Sequence, residues 1–240
     1  MCLLEADMSE YCFSAPVLDG GEEVMKQWIK KGVTNNPDHD RIFERAGITG
    51  EQVWVQHTPM GTFAVACWDV ESVERAFQTI ITSNDPWTAE FRSTLSRAHG
   101  IDFSQPMAPN EKIMDWIGKS TVRSSGQYGF IMPVLPGKEA VLRRWIAEEI
   151  PSAAHDRLFT EGGVDREQVW LQHTPMGDIA VILLDTESAA RAFSSLAASS
   201  DPWAFKFRQF LLEVYGVDFS QPIPINMQVA RWTAKERVRV

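Results

Sequence analysis

Apolar positions along the chain switch between a period of two and a period near 3.6, and the same order of switches runs twice. Residues 11–18 alternate aromatic and β-favouring side chains and stop at Asp19-Gly20-Gly21, which predicts a strand. Val24, Met25, Trp28 and Ile29 then mark one stripe of a helix that packs on a sheet. Residues 52–57 and 62–69 flank Thr58-Pro59-Met60-Gly61, where Pro presets φ and Gly permits the return, so this stretch predicts a β-hairpin. Val73, Ala76, Phe77, Ile80 and Ile81 give a second amphipathic helix. Asp85-Pro86 starts a third, with Asp as cap and Pro in the first turn, and Gly100 stops it. Part of 107–116 is expected to form a fourth strand.

The second run repeats these elements in the same order. Ten of eleven residues of 51–61, EQVWVQHTPMG, recur at 167–177, and GIDFSQP at 100–106 returns as GVDFSQP at 216–222, both at an offset of 116. YCFSAPVL at 11–18 matches YGFIMPVL at 128–135 at an offset of 117, so one deletion separates the copies, between Trp28/Trp145 and His39/His155. Each copy must be a folding unit of ordinary domain size. The reading therefore divides the chain into a first ferredoxin-like repeat, 1–118, a polar linker of small residues, 119–127, and a second repeat, 128–240.

A βαββαβ order with an extra helix is the ferredoxin-like arrangement, an α+β class with antiparallel sheets. Two such units in one chain resemble the dimeric α+β barrel superfamily as a tandem fusion, and each copy resembles small uncharacterised bacterial ferredoxin-like proteins. The resemblance implies an intramolecular pseudo-dimeric α+β barrel with a ligand cavity. That superfamily includes cofactor-free monooxygenases, muconolactone isomerases, haem-degrading enzymes and chlorite dismutases, so it does not choose a reaction.

Composition narrows the partners. A net charge of −9 opposes attraction to nucleic acid or anionic lipid, and the only basic cluster is Lys235, Arg237 and Arg239. The opening MCLLEADMSE carries acids where a signal peptide needs cations, and no run approaches a membrane span, so the cytoplasm is the expected location. Three cysteines, Cys2, Cys12 and Cys67, with no C-x-x-C spacing, argue against a disulfide framework or thiolate zinc site, and Cys67 is expected to be a small core residue. The expected partner is a small molecule, with homodimerisation left open.

Histidines supply the candidate chemistry. His57 and His173 end the second strand of each copy, His39 and His155 sit in DHDR and AHDR, and imidazole exchanges protons near neutrality. These four are the candidate catalytic residues. Strand alternation places Val53, Val55 and His57 on one face, with Ala64 and Ala66 opposite, suited to packing on helices; Trp54 and Gln56 lie on the other. Trp54, Gln56, Trp170 and Gln172, with Tyr11 and Tyr128, are the candidate ligand-binding wall. His99 is expected at the surface, and Glu51 and Glu167 in pairs with Lys or Arg. No P-loop, G-x-S-x-G, G-x-G-x-x-G or H-E-x-x-H motif is present. No cofactor is expected, haem or one metal ion being the alternatives. The favoured activity is that of an isomerase, cyclase or cofactor-free monooxygenase on an apolar or aromatic substrate. The competing readings are a non-catalytic binding protein and a solid structural or interaction domain. Polar differences between copies (Thr62 for Asp178, Ser14 for Ile131) suggest that only one half keeps a full site.

Overall fold

The computed structural model describes residues 9–103, 105, 108–119, 124–219 and 221–234. Cys2, part of the expected linker and the basic tail Lys235, Arg237 and Arg239 lie outside those residues.

The first copy forms β1 (Ser9–Val17), α1 (Gly21–Trp28), a π-helical turn (Ile29–Val33), α2 (Pro37–Ala46), β2 (Ile48–Thr58), β3 (Gly61–Val70), α3 (Val73–Thr82), α4 (Pro86–His99) and β4 (Glu111–Ile117). The second forms β5 (Gln127–Pro133), α5 (Glu139–Glu149), α6 (Ala153–Glu161), β6 (Val164–Thr174), β7 (Gly177–Thr186), α7 (Ala189–Ala198), α8 (Pro202–Tyr215) and β8 (Met227–Thr233). Local chemistry explains the boundaries. The carboxylates of Asp85 and Asp201 accept from the amides of Trp87 and Trp203, capping α4 and α8. The hairpins turn through Pro59-Met60 and Pro175-Met176, and Gly61 and Gly177 take φ of 122° and 120°, which L side chains avoid. DHDR lies within α2, where Asn36 is the cap, its side chain accepting from Asp38 N.

The chain divides into two compact units, Met1–Pro109 with Met227–Val240, and Asn110–Asn226. Each holds an antiparallel four-stranded sheet, in the orders β1-β3-β2-β8 and β4-β6-β7-β5. The last strand of each copy thus adds beside the hairpin of the other copy, β8 on β2 and β4 on β6. The α+β, ferredoxin-like character of the tandem units holds, whereas the expected barrel is not formed. Neither strand order closes: β1 and β8 are edges of one sheet, β4 and β5 of the other, because each final strand extends an open sheet at its edge.

The hairpin register matches the alternation expected. Val53 pairs with Ala66, Val55 with Ala64 and His57 with Thr62. Met25, Val55, Ala64 and Ala98 form one buried cluster, so the Val/Ala side of this sheet is the side that meets α1 and α4. On the reverse side, Cys12 and Cys67 face each other across β1 and β3 and are joined by a disulfide, with Cα atoms 4.1 Å apart. The expectation that Cys67 is merely a small core residue is thereby corrected. Its partner is 55 residues away, a separation at which only strand pairing, and no local motif, brings two thiols together.

Candidate functional site

A hollow lies between the sheet and the helices of the first unit. Its floor is the inner face of the sheet, Phe13, Ala15, Glu51, Val53, Ala64, Ala66, Trp68 and Ala230. Its walls come from Met25 and Trp28 of α1, Ile29 and Val33 of the π-helical turn, α3, and Phe91, Thr94, Leu95 and His99 of α4. Counted as room for the centre of a water molecule, it measures about 100 Å³. An apolar void of roughly 150 Å³ accommodates a benzene ring, so the hollow, at about 100 Å³, limits a ligand to about the size of a single ring and takes one only if the lining side chains shift. The π-helical turn contributes directly to its shape. Gly32 is pressed so close to the Trp28 indole that a Cβ there would lie 2.5 Å from the ring, and its carbonyl accepts from Trp87 Nε1 at 2.8 Å.

The second unit has the same space filled. Ala15, Ala66, Thr94 and Ala230 correspond in the repeat to Met132, Ile182, Phe210 and Met114, all of which line the equivalent region, where about 30 Å³ is left. Phe210 stacks on Trp145 with ring centroids 4.3 Å apart and planes inclined by 15°. Four enlargements at matched positions, with no loss of fold, mean that the first unit keeps a hollow the fold does not require.

Three polar groups mark that hollow. Glu51 is 9% exposed, and Trp68 Nε1 donates to its Oε1 at 2.8 Å. Burial pushes its carboxyl up to about 7, only partly countered by the indole hydrogen bond. Neither Lys nor Arg is among the described residues that line the hollow. His99, 4% exposed, donates from Nδ1 to the carbonyl of Pro16 at 2.7 Å, since that oxygen can only accept. Its neutral ring thus presents Nε2 as an acceptor, and burial lowers its pKa. Thr94 is the third group, its hydroxyl accepting from Arg97 at 3.3 Å. Both the surface placement expected for His99 and the Lys or Arg pairing expected for Glu51 are corrected.

The histidines singled out in the sequence are dispersed. His57 and His173 are exposed at the hairpin ends, with Nδ1 3.0 Å from Thr62 Oγ1 and 2.7 Å from Asp178 Oδ1. His39 and His155 are fully buried in aromatic surroundings. His39 lies 4.2 Å from the Phe43 ring and 4.8 Å from that of Trp232, and His155 lies 4.7 Å from that of Trp116. Of the expected ligand wall, Trp54 and Trp170 are buried and Gln56 and Gln172 half-buried, with Asn110 Nδ2 3.4 Å from Gln172 Oε1. Trp54 and Gln56 belong to the sheet side away from the hollow. Tyr11 shares the parity of Phe13 and Ala15 and meets Phe77 of α3, and Tyr128 accepts from the amide of Asn226 at 2.8 Å. No group of three or more His, Cys, Asp or Glu among the described residues could hold a metal ion. No helix of the described residues is long and apolar enough to cross a membrane.

Comparison with solved structures places this geometry in a known fold. The chain resembles an anthrone oxidase-like protein. The two share 11% identity over 98% of each chain with a TM-score of 0.52, which shows a common fold. Weaker likenesses join it to a monooxygenase candidate from Fusobacterium nucleatum, at 8% identity over 94% of this chain and 92% of that one with a TM-score of 0.45. A monooxygenase candidate from Lactobacillus acidophilus gives 7%, 95%, 96% and 0.48. No protein-family model and no curated protein matches the chain.

Proposed function

We propose that the first unit binds a compact, mainly apolar small molecule in the hollow between its sheet and helices, and that Glu51 moves a proton on it. The observation that carries this reading is a buried carboxyl, held by an indole N–H and with no Lys or Arg among the described lining residues, in a cavity that the second copy has filled; burial pushes its pKa up to about 7. A general base works best when its pKa lies near the working pH, because both protonation states are then populated. Glu51 as carboxylate takes a proton from an activated C–H or O–H of the ligand. The O–H bond forms on the carboxyl as the ligand's bond to hydrogen breaks, and the neutral acid returns that proton at the same or a neighbouring atom. Isomerisation, cyclisation and cofactor-free oxygenation can all begin with this deprotonation. Trp68 holds the carboxyl, and a neutral His99 accepts a hydrogen bond from a ligand hydroxyl.

The test uses the full chain with a panel of single-ring phenols and cyclic ketones, followed by calorimetry and by exchange of acidic ligand protons with deuterium oxide. Members of the panel are expected to bind, and Thr94→Phe to weaken them at least tenfold by occupying the hollow. Glu51→Gln is expected to retain binding and slow exchange by roughly 10²-fold or more. Failure of every panel member to bind, or indifference to Thr94→Phe, refutes the site. Binding without exchange in the unsubstituted protein supports the non-catalytic ligand-binding reading instead.

A further inference from the structure

The two copies hold one repeated carboxylate in two different positions. In the first, Glu51 accepts from the indole of Trp68. The second copy has Leu184 where Trp68 stands, and Glu167 lies with Oε2 3.7 Å from His155 Nε2, close enough for an ion pair and long for a hydrogen bond. His39 is the first copy's counterpart of His155. It is 0% exposed, and its Nε2 is buried with no hydrogen-bond partner, a costly arrangement for a polar atom. Its Nδ1 is 3.2 Å from Asp40 Oδ1, and the same oxygen accepts from Trp232 Nε1 at 2.8 Å. A carboxylate only accepts, so the Nδ1 of a neutral His39 carries the proton and Nε2 offers a bare lone pair.

We propose that Glu51 alternates between Trp68 and His39, and that His39 receives and returns the cavity proton through Nε2. The proposal rests on the reading of Glu51 as the proton carrier. In the step, the Glu51 O–H bond breaks and an N–H bond forms at Nε2, leaving a carboxylate beside an imidazolium already paired through Nδ1 with Asp40. The Nδ1 proton can then pass to Asp40, whose side chain is 25% exposed, and on to water; the reverse sequence reloads Glu51. The groups packed on His39 are Asp40 and Phe43 from its own helix, Trp87 from α4 and Trp232 from β8, with Glu51 of β2 as the moving partner. His39 is in this sense a positioning residue. Burial lowers its pKa, so the imidazolium is a transient holder of the proton and not its resting place. The exchange of Trp68 for Leu184 removes the alternative position in the second copy.

Ring-nitrogen NMR of the ¹⁵N-labelled full chain tests this without any ligand, so its failure is separable from failure of the binding site. The His39 signals are assigned by their loss in His39→Gln. Trp68→Leu is expected to shift Nε2 toward the position of a hydrogen-bonded or protonated nitrogen and to raise the His39 midpoint by about one pH unit. Adding Glu51→Leu to that variant is expected to reverse both changes. Identical Nε2 signals in Trp68→Leu and in the double variant overturn the proposal. Should Trp68→Leu not fold, Glu51→Leu alone decides: a lowered His39 midpoint supports the exchange, and an unchanged one rejects it.

Discussion

Buried carboxyls and buried imidazoles make stability depend on pH with opposite signs, and the first unit contains both. Glu51 has a folded pKa of about 7 against an ordinary 4.5, so between those values the folded chain binds more protons than the unfolded one. Stability from this group therefore falls as pH rises through that window and levels off above 7, by about 3 kcal/mol at most. His39 and His99 have lowered pKa values, so their contribution is lost as pH falls below 6.5. Glu51→Gln is accordingly expected to leave stability at pH 5 nearly unchanged and to raise it at pH 8 by about 1–3 kcal/mol, measured by urea unfolding of both proteins at both pH values. An unchanged difference between the two pH values would show that the carboxyl is not shielded from water. Glu51 was legible only in part. It shares the parity of Val53 and Val55, and Trp68 is the one tryptophan without a counterpart, yet a glutamate ahead of a hairpin reads by type as a surface charge. His99 carried a clearer signal, since it continues the Phe91, Leu95 stripe of α4 at a spacing of four.

At the scale of elements, the periodicities named the four strands and three of the four α-helices of each copy, each with its own start, stop or apolar stripe; α2 and α6, which hold DHDR and AHDR, were not in that order. The hairpin register followed from the same alternation, since a slip of one residue would have turned Val53 and Val55 away from the helices. The hollow itself was not legible, because an alanine in a stripe looks equally apolar whether the space above it is filled or empty. Only comparison of matched positions shows the difference, and α8 shows it most plainly: Phe210 occupies the place of Thr94 and stacks on Trp145. Phe210→Thr removes a buried ring, 6% exposed, and is expected to cost the second unit about 3–4 kcal/mol and to open a void that binds xenon or benzene. Denaturation followed with and without benzene checks both outcomes. A loss below about 1 kcal/mol would mean that neighbouring side chains collapse into the space, and that the first unit's hollow needs more than small side chains to stay open.

The connectivity of the whole molecule was hidden from the sequence for a different reason. A fourth strand joins its sheet through backbone hydrogen bonds, and the edges offered by the two copies are alike except at single positions. Arg166 of β6 donates to Asp115 of β4, where the first copy has Gly50 on its edge and β8 has Arg231 in place of Asp115, a signal that shows only once the pairing is known. The structure pairs β4 with β6 and β8 with β2. Side chains from the exchanged strands then complete each unit: Trp116 Nε1 donates to Asp156 and Trp232 Nε1 to Asp40, both at 2.8 Å. A consequence is that one unit, Asn110–Asn226, is continuous in sequence whereas the other is assembled from both ends of the chain. A fragment spanning 110–226 contains all four strands of its sheet and is expected to unfold cooperatively as a monomer. A fragment cut at the repeat boundary, 128–240, lacks β4 and carries β8 without β2. It is expected either to lose cooperative unfolding or to dimerise by lending β8 to a second copy's β6, whose exposed edge is a template for pairing. Analytical ultracentrifugation with thermal unfolding of the two fragments separates these outcomes. Equal monomeric stability would mean that each repeat can close its own sheet, and that the exchange seen here is a choice between nearly equal pairings and not a requirement of the fold.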